Sequence, residues 1–559
     1  MWKWRNGNQQ AKPAAGDLGG FTQRRIPVAL CLTLFMLEFN LYTLANILGP
    51  VVRGLQTTVA SIQMALVLLP VLAAITLPTA RSLVGLYGRK KVFRLGLLLF
   101  AGGMGITVVS VNTSMMVLGF GVVAGLAAAP LITLPWMMML EAYTGRRREF
   151  AFFALNASLV VGTLLGPLVG GLLATNINWR LAFLPQAVLA LVILLLVREM
   201  PEMRKERTAP LDWAGVLVLL FGLIAILWGL GLGSEYGWWM ARESPLLFGH
   251  LIRIVFGLSV VPFLLLVGVI LLGVFVFHRW RHRATDNQQA GIQQMGMLGR
   301  RPFLVGATAH ALYVVSTMGL TFTLFLYLQW ALRLTPFATA ITLLPFNLAL
   351  IIVLLLTMRL SERAVPKYMV QAGLLGMIVG LVLLYLVLSP SVTRLELMPA
   401  LIIIGLGAGF VVGQVPNLVL SLAQREERGE SNALLVSFQD IGYGLGISLF
   451  GAILISTTAS LVVSGVTQRV GLSLSPLRLQ SLTNQFAQIL HTFNPDQLNR
   501  VLAPLSPSVR QALEDVAPSA ATEAMRLTVL CILGVVLLAF LISFLLPSKK
   551  VFRAELIED

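Results

Sequence analysis

Long apolar runs alternate along this chain with short breaks rich in Gly, Pro, Arg and Lys. A bilayer core about 30 Å thick is crossed by roughly 20 helical residues. Runs that meet this length fall at 26–50, 59–84, 93–112, 114–143, 150–175, 179–198, 212–235, 251–278, 303–330, 336–358, 368–388, 396–423, 430–464 and 523–547. The pattern predicts an all-α integral membrane protein with about 14 transmembrane helices, because in lipid a helix satisfies its backbone polar groups within one segment. The runs at 114–143 and 430–464 exceed a single span, and kinks are expected there at Pro130, Pro135 or the Gly442–Gly446 segment.

One sizeable polar stretch, 465–522, interrupts the series. It carries helix-like runs at 477–489 and 496–502, punctuated by Pro495, Pro504 and Pro507. An amphipathic cap on the outer membrane surface is the expected structure, and a docking platform for an outer partner is the alternative.

The chain also repeats itself. Leu83, Lys90 and Gly96 match Leu360, Lys367 and Gly373 at one constant offset. Arg148, Gly162, Gly166 and Gly171 match Arg428, Gly442, Gly446 and Gly451 at an offset only three residues longer. Two duplicated six-helix halves with parallel topology follow, an arrangement in which halves rock about a midplane site. The expected organisation is a cytoplasmic segment 1–25, a first half 26–200, two extra central helices with linkers over 201–300, a second half 301–547 containing the 465–522 loop, and a cytoplasmic tail 548–559.

Composition agrees with lipid as the solvent. Of 559 residues, 57% are hydrophobic and 12% charged, against about a quarter charged in soluble domains, and the mean hydropathy is +0.85. In a soluble chain a net charge of +17 would suggest nucleic acid. Here the basic residues cluster at the ends of apolar runs, so they read as positive-inside charge and no nucleic-acid partner is expected. With the N-terminus inside, most Lys and Arg fall on inner loops, which places both termini in the cytoplasm. Cys31 and Cys531 lie inside apolar runs and imply neither a disulfide framework nor a metal site. The polar start, Met1 to Gly20, is not a cleaved signal peptide. No phosphate-binding glycine loop, nucleophile elbow or paired His ligands occur, so no cofactor and no enzyme activity are expected. With no ATP-hydrolysis motif, pumping would draw on an ion gradient.

The most specific stretch is Gly162-Thr-Leu-Leu-Gly166-Pro167-Leu-Val-Gly170-Gly171, followed by Trp179-Arg180 and Phe183. The first run ends Thr43-Leu44-Ala45-Asn46-Ile47-Leu48-Gly49-Pro50, and the second inner loop keeps Gly88-Arg89-Lys90-Lys91. In these motifs and over nearly its whole length the chain resembles the fourteen-helix drug:proton antiporter branch of the Major Facilitator Superfamily. The resemblance implies multidrug efflux by proton antiport across a bacterial inner membrane. Three positions depart from the family pattern. Leu41 and Gly85 stand where acids are usual, and Gly121 where an arginine is usual.

A carboxylate inside a span is costly and marks function by default. Glu38 lies about twelve residues into the first run, roughly 18 Å along the helix, and Asp440 about ten residues into the thirteenth, roughly 15 Å. His310 lies a little shallower in the ninth. These three are the proton-coupling candidates: a carboxylate that the bilayer strips of water can load a proton on one side and release it on the other. Substrate-cavity candidates are Asn40, Asn46, Tyr313, Gln414, Asn417 and Gln439. Gating or helix-packing candidates are Gly88, Arg89, Glu141, Arg148, Gly162, Gly166, Pro167, Gly170, Glu362 and Arg363. The leading expectation is a proton-coupled exporter of a small amphipathic or lipophilic compound. The departures at Leu41, Gly85 and Gly121 keep two alternatives open: a transport-silent membrane scaffold or assembly factor, and a gradient-independent facilitator.

Overall fold

The computed structural model describes residues 22–143, 145–198, 200, 213–236, 239, 246–247, 250–251, 259–282, 300–360, 365–421, 428–472, 475–492 and 506–547. In the first half, α1 (Thr22–Leu55), α2 (Val59–Tyr87) and α3 (Arg89–Val108) are followed by a span in three parts. That span is α4 (Thr113–Met116), a π-helical stretch Val117–Val123 and α5 (Ala124–Ala142). Then come α6 (Gly145–Asn176), a 3₁₀ turn Trp179–Phe183 and α7 (Leu184–Leu196). A hairpin of α8 (Trp213–Tyr236) and α9 (Val260–His282) precedes the second half. The second half is α10 (Arg301–Trp330), α11 (Pro336–Thr342), α12 (Leu344–Leu360), α13 (Pro366–Val387), α14 (Arg394–Ser421), α15 (Arg428–Val470), α16 (Pro476–Thr492) and α17 (Pro507–Ser543). Between α8 and α9, a two-residue ladder pairs Leu246–Leu247 with His250–Leu251.

Among the described residues, eleven helices are long and apolar enough to cross a membrane. They become twelve when α11 and α12, bent by 42° at Leu343, count as one span. The hairpin helices α8 and α9 carry shorter described apolar stretches, Leu217–Ile226 and Val260–Phe275. Exposed Leu95, Leu98 and Leu99 on α3 and Val188, Leu191 and Leu195 on α7 form lipid-facing surface.

The duplication read from sequence recurs as duplicated packing. Gly162 and Gly166 let α6 approach α1 so closely that a Cβ on either would come within 2.6 Å of Phe35 O or 2.5 Å of Phe39 O. Their counterparts Gly442 and Gly446 on α15 meet Ala311 O at 3.0 Å and Val315 O at 2.6 Å on α10. An arginine tie repeats as well. Arg180 Nε and Nη2 both donate to Ser110 O, just past the end of α3 (3.2 and 2.9 Å). In the second half Arg526 Nε and Nη2 donate to Leu388 O, just past the end of α13 (3.1 and 2.6 Å).

The halves meet along two seams. On one, α2 packs on α15; on the other, α6 packs on α11 and α12. The hairpin rests against both α2 and α15 through α8, and α16 lies on the same side against α15, α8 and α2. Since α1 begins at one face and each span reverses direction, the faces can be named: α1, α6, α10 and α15 start at the N-terminal face and end at the distal face.

Three local features differ from expectation. The fourth span is broken by the π-helical stretch at 117–123. There Gly119 and Gly103 are so close that a Cβ on either would lie 2.7 Å from the other's carbonyl. The Gly442–Gly446 segment runs unbroken within α15, and Pro130 and Pro135 both lie inside α5. Finally, the 465–522 segment is less of a loop than its polarity suggests. α15 continues to Val470 and α17 starts at Pro507, and the two extensions are joined by an Arg469–Asp515 ion pair at 2.8 Å. Residues 496–502, expected to be helical, lie outside the described residues, whereas the run at 477–489 is α16.

Candidate functional site

The glycine contacts that draw α1 to α6 and α10 to α15 leave a cavity between the halves. It measures about 850 Å³ including its open mouth, and its walls include Leu34, Leu37, Ile132, Trp136, Asn156 and Asn432. Glu38, His310, Gln439, Asp440 and Tyr443 also face it. Most lining residues lie between the middle of their helix and the N-terminal face, with Leu41, Leu69 and Pro70 just past the middle, so the cavity extends from the midplane toward that face. No Lys or Arg is among the lining residues.

The polar groups in the cavity form one directional chain. Tyr443 OH donates to Glu38 Oε1 at 3.0 Å. Gln439 Nε2 donates to Tyr443 OH at 3.2 Å. Gln439 Oε1 lies 3.2 Å from His310 Nε2, and because an amide oxygen only accepts, His310 carries its proton on Nε2. All donors therefore point toward Glu38, across α10, α15 and α1. An amide nitrogen does not release its protons, so the chain orients its members and does not conduct a proton from end to end. Three acceptor atoms of the cavity residues are buried and without a partner, Glu38 Oε2, Asp440 Oδ2 and His310 Nδ1, and Gln414 Oε1 on α14, not among the lining residues, is likewise buried and empty. Leaving such an atom empty costs about 1–3 kcal/mol, so each is poised for a proton, a water or a ligand donor. Asp440 lies within electrostatic reach of Glu38, and Tyr313 stacks on His310 with ring centroids 6.1 Å apart.

The structure thus brings Glu38, Asp440, His310 and Gln439 into one cavity, with Tyr313 behind them. Asn40 is fully buried and not among the lining residues, and neither atom of its amide has a partner. Asn46 is fully buried at a junction of α1, α6 and α11 nearer the distal face. Gly162, Gly166 and Gly170 face α1, with Gly170 against Thr43, and Thr43 Oγ1 donates to Gly166 O at 3.0 Å. Pro167 accepts from Asn46. Gly88 turns the chain between α2 and α3 with φ of 90°, a conformation open to glycine, and its N–H closes α2 on Val84 O at 2.9 Å. Arg89 is buried at the start of α3. Glu141, Arg148 and Asn417 sit on described helices, but their side chains lie outside what is described, and Glu362 and Arg363 lie outside the described residues.

Sequence reasoning missed Tyr443, the centre of the chain. The signal was present: Tyr443 is four residues from Gln439 and three from Asp440, hence on one helix face with both.

A model described as the Major Facilitator Superfamily matches residues 28–260 and 244–447. The "Probable actinorhodin transporter" of Streptomyces coelicolor is 23% identical over 91% of this chain and 89% of its own length. A puromycin resistance protein of Streptomyces alboniger is 28% identical over 67% of this chain and 70% of its own. The multidrug efflux pump LfrA of Mycolicibacterium smegmatis is 22% identical over 64% and 67%. Among solved structures, an inward-facing, unoccupied bacterial homologue of the human lysosomal transporter Spinster aligns with a TM-score of 0.54 at 14% identity, covering 94% of this chain and 98% of that one. An auto-inhibited POT family peptide transporter aligns at 0.53 with 15% identity, covering 86% and 97%. At these identities the structures speak for the fold alone.

Proposed function

The chain belongs to the Major Facilitator Superfamily, and from that premise we propose that it is a secondary transporter exporting a small amphipathic or lipophilic compound in exchange for protons. The relatives named for antibiotic and multidrug export support the direction and the kind of cargo. The observation that carries the reading is the buried pair Glu38 and Asp440, each with an empty carboxylate oxygen, facing one cavity between the two halves. A cavity walled by Leu34, Leu37, Ile132 and Trp136, with a few polar groups, suits a molecule with a large apolar face.

In the proposed cycle, substrate enters from the N-terminal face, which the positive-inside pattern makes cytoplasmic. Its donor groups occupy Glu38 Oε2 and Asp440 Oδ2. The halves then rock, the distal face opens, and a proton replaces the substrate on the same oxygens. Tyr443 holds Glu38 in one orientation throughout, while Gln439 and His310 hold Tyr443. We place the protein in the inner membrane with both termini cytoplasmic. An outer partner would have to engage segment 465–522, but α16 already packs against α15, α8 and α2, which favours a capping role.

The test is proton flux in liposomes holding the purified protein, an internal pH dye and an imposed gradient, challenged with lipophilic cations and amphipathic acids. Some members of the panel should drive proton movement, and Glu38→Gln and Asp440→Asn should each lower it about tenfold or more. A flux unchanged in both variants would remove these carboxylates from the mechanism. No flux from a folded protein across the whole panel would favour the scaffold reading.

A further inference from the structure

The distal face, opposite the cavity mouth, is held shut around Asn46. Pro50 lies four residues after Asn46 and has no N–H, so the Asn46 carbonyl loses its helical partner. α1 bends there, with Ile47 at φ −93° and ψ 15°. The orphaned carbonyl is taken by the other half of the molecule: Gln329 Nε2, near the end of α10, donates to Asn46 O at 2.8 Å. The same nitrogen reaches Asn46 Oδ1 at 3.4 Å. Asn46 Nδ2 meanwhile donates to Pro167 O on α6 and Pro336 O at the start of α11, both at 3.0 Å. Gly171 makes the junction possible, since a Cβ there would lie 2.9 Å from both Asn46 Nδ2 and Phe337 N.

Three of these four bonds join the halves, and Asn46 is fully buried. We propose that Asn46 is the latch of the distal gate, a positioning residue that holds the halves together at that face and sets how often the cavity opens there. Separating the halves at the distal face breaks the bonds to Pro336 and Gln329 together and strands the Asn46 carbonyl that Pro50 has already freed. A buried acceptor without a donor is unfavourable, so the distal-open state is reached only when water enters the seam or another group supplies the donor. The latch requires two moving halves and no particular cargo or ion, so it stands or falls separately from the exporter reading.

Paired spin labels in the full chain, in nanodiscs without added compound, test this. Cys31 and Cys531 are first replaced by serine. One pair, I177C with L395C, reports the distal face, where both positions are exposed. A second pair, L86C with Y368C, reports the N-terminal face, where both are again exposed. Asn46→Ala and Gln329→Leu should each lengthen the distal distance and shorten the other in the same molecules. The distal-open fraction should rise roughly tenfold. Gln329 is only partly buried, so its variant keeps the test available if Asn46→Ala fails to fold. Distances unchanged in both folded variants overturn the latch. So does a longer distal distance without the reciprocal change, which marks local loosening in place of rocking.

Discussion

Tyr443 shows how much one side chain carries in this cavity. Its hydroxyl accepts from Gln439 and donates to Glu38, so it is the member through which the second half orients the carboxylate of the first. Tyr443→Phe keeps the ring and removes the donor, leaving Glu38 Oε1 as empty as Oε2. The loss is expected to cost about 1–3 kcal/mol. Coupled flux should fall about tenfold in the liposome assay, with helix content by circular dichroism unchanged; full flux would reduce Tyr443 to packing. Gly121 illustrates the opposite case, a charge the family carries and this chain lacks. A Cβ at Gly121 would meet Leu68 Cβ at 3.2 Å and Ala65 O at 3.3 Å on α2. Close helix contact occupies the place of the usual arginine.

At the scale of helices, glycine sets the distances from which the site is built. The pairs α1 with α6 and α10 with α15 touch backbone to backbone at Gly166 and Gly446. In lipid, where apolar side chains gain little from leaving the solvent, such close packing is a main source of helix association. Gly166→Leu or Gly446→Leu should therefore destabilise the fold by about 1–3 kcal/mol or more. Gly102 is the control, because a Cβ added there would find nothing within 4 Å. Gly102→Ala should be neutral or stabilising by about 0.5–1 kcal/mol. Thermal unfolding in detergent separates the two classes, and equal melting for Gly166→Leu and Gly102→Ala would refute the packing account.

For the whole molecule, what has been added to the twelve-span core is asymmetric. The α8–α9 hairpin and α16 both lie along the α2–α15 seam, while α6 meets α11 and α12 on the other seam, where neither element packs among the described residues. The hairpin therefore reads as a brace on one seam. Replacing residues 201–299 with a flexible linker joins two points on the N-terminal face, and the resulting chain should still fold as a monodisperse protein. The distance distribution between labels at positions 86 and 368 should broaden as the brace is lost. An unchanged distribution would make the hairpin a passenger.

The all-helical membrane fold, the order of its helices and the duplication were legible in the chain, because lipid imposes its length and polarity rules one segment at a time. So were the glycine motifs, whose repetition the two helix pairs reproduce. The tertiary structure alone decided which polar residues share a space. Asn46 and Gln439 looked alike in sequence, two amides in apolar runs. One closes the distal face because Pro50 frees a carbonyl that Gln329 reaches, and the other orients Tyr443 in the cavity. Tyr443 gained its role only when α15 was set against α1. Hydropathy records whether a segment meets the membrane or water; which partner a residue meets depends on how two halves, far apart in the chain, are rotated against each other, and that is a property of the assembled bundle.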